Sequence, residues 1–373
     1  MKVLFAGDYF PGERVIDKFK KEGFDSVFDE VKKLNENVDY SVVNFECNVA
    51  NDYDKPIKKS GPCLKTEEKG VDALKWAGFN LLCLANNHFR DYGSGAVANT
   101  IKVIKEKKLD FVGGGNNIQE ASFILYKAIC NKTVAFINVC ENEFSIASEN
   151  RGGSNPLNPI TQYYEIREAK KNADYVFVII HGGHEYCQEP SLRMKQTYRF
   201  FIDAGADAII NHHQHCYCSY EVYNGKPIFY GLGNFCFEKI NENLPESWNY
   251  GYIIILNIED ENIAFEVLPF EQCLNSIDVH ILEDKNSFIC HINRLNDILA
   301  DEKLLSDYLY SFYDSQPLLG VTIPQLYGHW WRLRKYVAKH LHPMWYYDLR
   351  DMVLCESHYD RIRYEIEKKI NNK

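Results

Sequence analysis

The sequence predicts an α/β protein with mostly parallel strand pairing. Short apolar runs alternate with amphipathic segments of helical period as far as residue 211. Beyond that point the alternation changes to two hairpin patterns, so the sheet is expected to end in antiparallel strands. From residue 285 onward the strand patterns stop, and the remainder reads as helical.

The elements follow in order. "KVLFAG" (2–7) reads as the first strand. "YSVVNF" (40–45), "FNLLCLAN" (79–86), "DFVGGG" (110–115), "KTVAFINV" (132–139), "DYVFVIIH" (174–181) and "ADAIIN" (206–211) have the same apolar, strand-forming character. Segments 26–36, 67–77, 95–107, 162–172 and 191–204 lie between them and have helical spacing. "SYEVYNGKPIFYGL" (219–232) is a hairpin around Asn224-Gly225, and residues 250–270 form a second hairpin around Asp260-Glu261-Asn262. Residues 1–284 are expected to form one unit. Residues 285–373 form a helical extension broken at Pro317, Pro324 and Pro343, with Trp330, Trp331, Trp345, Tyr346 and Tyr347 set among basic residues. That combination suits a helical appendage packed on the body, a lid, a dimer surface or a segment at a membrane interface.

Composition narrows the class. The chain has 373 residues, 46% of them hydrophobic, enough for one large or two modest cores. A net charge of −10 argues against a nucleic-acid binder but leaves room for a local basic pocket and an anionic substrate. Twelve cysteines without a C-x-x-C pair read as reduced, mostly buried thiols. The apolar run in "MKVLFAGDYF" is too short for a signal peptide or a membrane span, so a cytoplasmic protein is expected, at most peripheral to a membrane.

Chemistry collects where the strands end, since loops after carboxyl ends form the crevice of an open α/β sheet. Asp8 follows the first strand and Glu46 the second. Asn86, Asn87, His88, Asp91 and Tyr92 follow the third, in "ANNHFRDYG". His181, His184 and Glu185 follow the sixth, and His212, His213 and His215 the seventh. Singly, each has a structural reading: a turn cap at Asp8, a solvated Glu46, turn chemistry at Asn86-Asn87, a core histidine at His181, a polar turn at His212–His215. Five such endings on seven strands are hard to assign to chance. Carboxylates, an amide oxygen and several imidazoles make a mixed O/N set suited to divalent transition metals. A bridging carboxylate can hold two ions roughly 3.5–4 Å apart, as in phosphate-ester hydrolysis. Cys216 and Cys218 open the next hairpin and read as structural.

In order along the chain, Gly7-Asp8, Asn44-Phe45-Glu46, "LANNHFRDYG" (84–93), "HGGHEY" (181–186), "GADAIINHHQH" (205–215) and "YNGKPIFYGLGNFCF" (223–237) resemble the poly-gamma-glutamate capsule synthesis family, CapA-like, of the calcineurin-like metallophosphoesterases. The resemblance runs over residues 1–270 and leaves out the C-terminal segment. It implies a four-layer αββα sandwich with a centre for two divalent ions (Mn, Fe or Zn) at one sheet edge. By position, Asp8 and His215 would serve the first ion, Glu46 would bridge, and Asn87, His181 and His213 would serve the second. His88 would be the acid/base histidine, supported by Asp91. Asn86, Tyr92, His184, Glu185, His212 and Asn234 would lie around the ligands or the substrate pocket. The widespread Asp-x-His motif is here Asp8-Tyr9-Phe10, so one first-site imidazole is missing. Where the family usually has His-Trp-Gly and Gly-His-His-Pro-His, this chain has His181-Gly182-Gly183 and Asn211-His212-His213-Gln214-His215.

The expected function is therefore a metal-dependent hydrolase or transferase acting on an anionic small molecule or polymer in capsule, polyglutamate or polysaccharide synthesis. The alternative is a metal-binding scaffold without catalysis, docking a membrane-associated biosynthetic partner through 285–373. A third reading, a peptidase-like activity on gamma-linked glutamate, would use Lys65, Arg90 and Arg193 against its carboxylates.

Overall fold

The computed structural model describes residues 1–238, 244–260, 262–274, 276–316 and 345–371, with backbone alone for 345–349. Its strands fall into two main sheets. The first contains β1 (Lys2–Phe10), β2 (Tyr40–Phe45), β3 (Leu81–Cys83) and β4 (Asp110–Val112). The second contains β5 (Leu125–Ile129), β6 (Lys132–Cys140), β7 (Tyr175–His181), β8 (Ala208–His212), β9 (Tyr220–Tyr223) and β10 (Lys226–Phe229). β11 (Asn234–Phe237), β12 (Tyr250–Glu259), β13 (Asn262–Gln272) and β14 (Val279–Ile281) return to the first sheet. Its order is β14-β13-β12-β1-β2-β3-β4, with β11 on the carboxyl half of β1; the second sheet runs β9-β10-β8-β7-β6-β5.

The period-2 alternation of the strands decides the layers. In β1, Val3 and Phe5 enter the core between the sheets, while Leu4 and Ala6 enter the core outside the first sheet. In β7, Tyr175, Phe177 and Ile179 face the inter-sheet core, and Val176, Val178 and Ile180 face the outer core of the second sheet. The first outer core is covered by α1 (Glu13–Glu22), α2 (Asp25–Asn35), α3 (Glu68–Trp76) and α4 (Gly93–Glu106), through residues such as Phe19, Phe28, Leu74 and Ile104. The second is covered by α5 (Pro159–Asn172) and α6 (Leu192–Ala204), through Ile166, Tyr198 and Phe201. Helix, sheet, sheet, helix makes a four-layer αββα sandwich.

The C-terminal helical extension is built into this body. Phe288, Ile292 and Leu295 of α7 (Asn286–Ala300) join the inter-sheet core. Leu305, Leu309 and Tyr313 of α8 (Glu302–Ser315) join the outer core of the second sheet. α9 (Trp345–Leu354) and α10 (Glu356–Asn371) follow, and Tyr364 stacks on Tyr310, ring centroids 4.7 Å apart. Pro317, Pro324, Trp330, Trp331 and Pro343 lie outside the described residues, as does Glu261 of the second hairpin turn. All twelve cysteines are free, and Cys216 and Cys218 pack in the outer core of the second sheet. Among the described residues no helix is long and apolar enough to cross a membrane.

Candidate metal centre

The parallel strands of both sheets end at one edge, and a break in register shapes that edge. Ala6 lies opposite Val43 but Asp8 lies opposite Asn44, so Gly7 is an extra residue in β1. A Cβ at Gly7 would stand 1.8 Å from the Gly233 carbonyl oxygen, to which the Asp8 N–H donates at 3.0 Å. Asp8 is fully buried there: Oδ1 accepts from Asn44 Nδ2 at 2.8 Å, and Oδ2 accepts from the His213 N–H at 3.1 Å.

Glu46 sits at the centre. It is fully buried, and neither carboxylate oxygen has a hydrogen-bond partner among the described residues. Nitrogen atoms surround Oε1 instead: His181 Nε2 and His215 Nε2 at 3.6 Å each, and His88 Nε2 at 4.0 Å. Two groups of ligand atoms, each within 4.8 Å of one another, share this residue: Glu46 with His181 and His213, and Asp8 with Glu46 and His215. Asn87 Oδ1 lies 3.0 Å from His181 Nε2, and His213 Nδ1 lies 3.1 Å from the same nitrogen. Burial, then the Asp8 charge, pushes Glu46 well up; burial, then the His213 imidazole, pushes His181 well down. An orphaned buried carboxylate facing a set of imidazole nitrogens is the donor arrangement a divalent transition metal satisfies: a cation would favour the ionised Glu46 carboxylate and the neutral His181 imidazole, the forms that bind a metal. The residues therefore fit such an ion.

Several neighbours aim these groups. Asn234 Oδ1 accepts from His215 Nδ1 at 2.9 Å, which leaves Nε2 to face Glu46. Asn44 Nδ2, besides holding Asp8, lies 3.2 Å from His181 Nδ1. His213 and His215 both adopt positive φ, 99° and 55°. Asn211 Nδ2 lies 2.9–3.0 Å from the Gly182, His212 and Tyr230 carbonyls and from Gln214 Oε1, its two N–H bonds shared among these acceptors, and so fastens the turn that carries them. His212 Nδ1 lies 3.3 Å from Asp8 Oδ1.

His88 lines a cavity of about 230 Å³ together with Asn87 and His213. Its Nδ1 donates to Asp91 Oδ2 at 2.6 Å, and Asp91 Oδ1 pairs with the Lys59 ammonium at 2.5 Å. Burial, then Lys59, pushes His88 down to about 4. Asn86 Oδ1 accepts the His88 N–H at 3.1 Å, and Asn86 Nδ2 donates to the Phe45 carbonyl at 2.9 Å, joining the His88 turn to the end of β2. His184 and Glu185 also line the cavity, His184 Nε2 lying 3.0 Å from the Tyr313 hydroxyl. Tyr92 is not brought to the cavity wall; its ring carries the Lys65 ammonium at 5.4 Å. Arg193 does not reach it either, being held by Glu141 at 2.7 Å and Asp360 at 2.9 Å.

Sequence reasoning missed Lys59, Glu143, Asp351, His358 and Arg361, all of which line this cavity. Asn87 Nδ2 donates to Glu143 at 3.1 Å, and burial, then Asp351, pushes Glu143 up to about 8. Lys59 lies in a stretch without periodicity. Asp351, His358 and Arg361 belong to helices roughly 140 residues beyond the nearest ligand, so no local signal could have joined them to the site.

The family model described as Bacterial capsule synthesis protein PGA_cap matches residues 2–239. Capsule biosynthesis protein CapA of Bacillus anthracis is 37% identical over 247 residues, covering 64% of this chain and 60% of that protein. PGA biosynthesis protein CapA of Bacillus subtilis (strain 168) is 38% identical over 245 residues, covering 64% of each. The chain thus spans less than two thirds of the length of these relatives. Among solved structures, a hypothetical protein from Thermus thermophilus covers 73% of this chain and 99% of its own, at 15% identity and a TM-score of 0.49.

Proposed function

The chain belongs to the bacterial capsule synthesis protein PGA_cap family, and from that premise and the centre just described we propose a metal-dependent hydrolase or transferase acting on a phosphate ester or polyanion in the synthesis of a capsular or envelope polymer. The names of the relatives, capsule and PGA biosynthesis, support the polymer context. The observation that carries the chemistry is Glu46, buried without a hydrogen-bond partner among the described residues and shared by two groups of ligand atoms. Asp8 and His215 would hold one ion, His181, His213 and Asn87 a second, with Glu46 shared. Divalent ions bound there would supply Lewis acidity toward a phosphoryl oxygen and acidify water.

The remaining work falls to residues of this chain. With Nδ1–H given to Asp91, His88 offers Nε2 to the cavity as the atom that takes or gives a proton during bond exchange. Lys59 pairs with the other Asp91 oxygen at 2.5 Å and so fixes the carboxylate that orients His88. Asn234 keeps His215 Nε2 turned toward Glu46.

Metal analysis of gently purified protein tests the reading. About one to two transition ions per chain are expected, falling in His213→Ala. A content well below about one ion, or a His213→Ala variant with unchanged metal, overturns it. With Mn added, turnover of an aryl phosphate should drop by about 10²–10⁴-fold in His88→Asn while metal is retained. The scaffold reading has one observation in its favour: Tyr9 and Phe10 pack in the core, so that end of β1 adds no imidazole to the first group. Full metal content without turnover on any phosphate ester would select it.

A further inference from the structure

The wall of the cavity contains groups from helices outside the matched family region. Residues 2–239 carry the match, whereas Asp351 and His358 come from α9 and α10, and Arg361 from α10. Asp351 and His358 occupy each other at 3.0 Å. Arg361 is different. It is 9% exposed, its Nε has no hydrogen-bond partner among the described residues, and no carboxylate oxygen of those residues lies within salt-bridge distance of its guanidinium. Glu365, one turn on, and Glu185 across the cavity attract it only through space. A buried guanidinium with unmade hydrogen bonds is costly unless a ligand completes it.

The helix that carries Arg361 is registered against the catalytic sheet edge. Gly182, directly after the ligand His181, leaves room for Glu141: a Cβ at Gly182 would come within 2.5 Å of Glu141 Cγ. Glu141 accepts from Arg193 at 2.7 Å and from the Ser357 N–H at 3.2 Å. Arg193 also pairs with Asp360, and Glu356 accepts from the Asn142 N–H and side-chain amide at 2.8 and 2.6 Å. These contacts engage the first turns of α10, and Arg361 follows Asp360 in the same turn.

We propose that Arg361 is a specificity-determining residue, binding an oxyanion of the substrate, carboxylate or phosphoryl, within the cavity that also holds Asn87, His88 and His213. The guanidinium fork suits either group in bidentate fashion. The proposal deepens the hydrolase reading and rests on it for the substrate's reacting end. Arg361 itself takes no part in bond exchange.

The test is an equilibrium titration of full-length protein, metal-loaded and metal-free, with inorganic phosphate and separately with succinate. Arg361→Gln should raise Kd for one of the two anions by about 10- to 100-fold, with metal content unchanged. Arg363→Gln, on an exposed residue paired with Glu367, is the control and should leave Kd unaltered. A rise for phosphate assigns the phosphoryl class, a rise for succinate the carboxylate class. Unchanged affinity for both anions in Arg361→Gln overturns the proposal. Should that variant fail to fold, Arg361→Lys carries the test, with a rise of about 3- to 10-fold expected from loss of the fork. Metal content is read separately: protein that binds no metal but shows Arg361-dependent anion binding overturns the hydrolase reading and leaves the anion site standing.

Discussion

Gly7 shows how one residue without a side chain can shape a candidate metal centre. Its Cα lies against the Gly233 carbonyl, and the extra position it occupies in β1 brings Asp8 level with both Asn44 and Asn234. Because the nearest atom is backbone, no rotamer change relieves Gly7→Ala. The variant should lose more than about 3 kcal/mol in urea unfolding and most of its bound metal; a stable, metal-replete Gly7→Ala would refute this role. A second residue, Glu189, makes stability depend on pH away from the ligands. It is buried, one oxygen accepts the Ser219 hydroxyl at 2.7 Å, and the other has no partner among the described residues. Burial, only partly offset by that hydrogen bond, pushes it up to about 8. A folded-state value above the unfolded one means that the protonated acid favours the fold. Its contribution is complete below the unfolded value near 4.5 and is lost as pH rises through about 8. Glu189→Gln should therefore gain about 1–3 kcal/mol relative to wild type between pH 5 and pH 9. Urea denaturation of both proteins at the two pH values checks it, and an unchanged difference counts against it.

At the scale of elements, α10 is held to the site by a half-buried charge chain rather than by a large apolar face. Arg193 joins Glu141 to Asp360, and Arg193, then Ser357, holds Glu141 down to about 2 against its burial. Arg193→Met leaves Glu141 without its main partner. Amide exchange over Glu356–Asn371 should accelerate by about tenfold or more while β7 keeps its protection; unchanged exchange would show that the clamp is redundant. The same elements explain what was legible beforehand. β2 and β7 are buried runs of strand-forming residues, and each lies within a residue of its expected limits. α1 was not foreseen, because Val15, Ile16 and Phe19 are its whole buried face and charges fill the rest. β11 pairs in parallel with β1 across more than 200 residues, a partnership no local pattern announces. The strand ends carried the candidate ligands into view, since side-chain type and phase with the sheet are both written locally. The cavity wall was hidden because Lys59 and Arg361 arrive there through tertiary packing alone.

Over the whole molecule, the two sheets bring two carboxyl groups and several imidazoles to one buried edge, and the four-layer packing has to hold them there. Glu46 and Asp8 are both fully buried, and neither oxygen of Glu46 has a hydrogen-bond partner among the described residues to offset its desolvation. Without an ion, burial and then the Asp8 charge disfavour the ionised form of Glu46, so replacing it by the isosteric amide changes little. In EDTA, Glu46→Gln should match wild type to within about 1 kcal/mol. Saturating Mn should separate the two, because an ion that binds only the folded state stabilises by about 4 kcal/mol at 1,000 times its Kd. Wild type is then expected to gain several degrees in Tm, and Glu46→Gln most of that gain less. The sandwich would thus be marginal at its functional edge until the centre is filled. The decisive measurement is thermal unfolding of both proteins across a Mn titration. A wild type whose Tm ignores the metal, or a variant that gains as much, would mean that the paired groups around Glu46 do not serve as a metal centre.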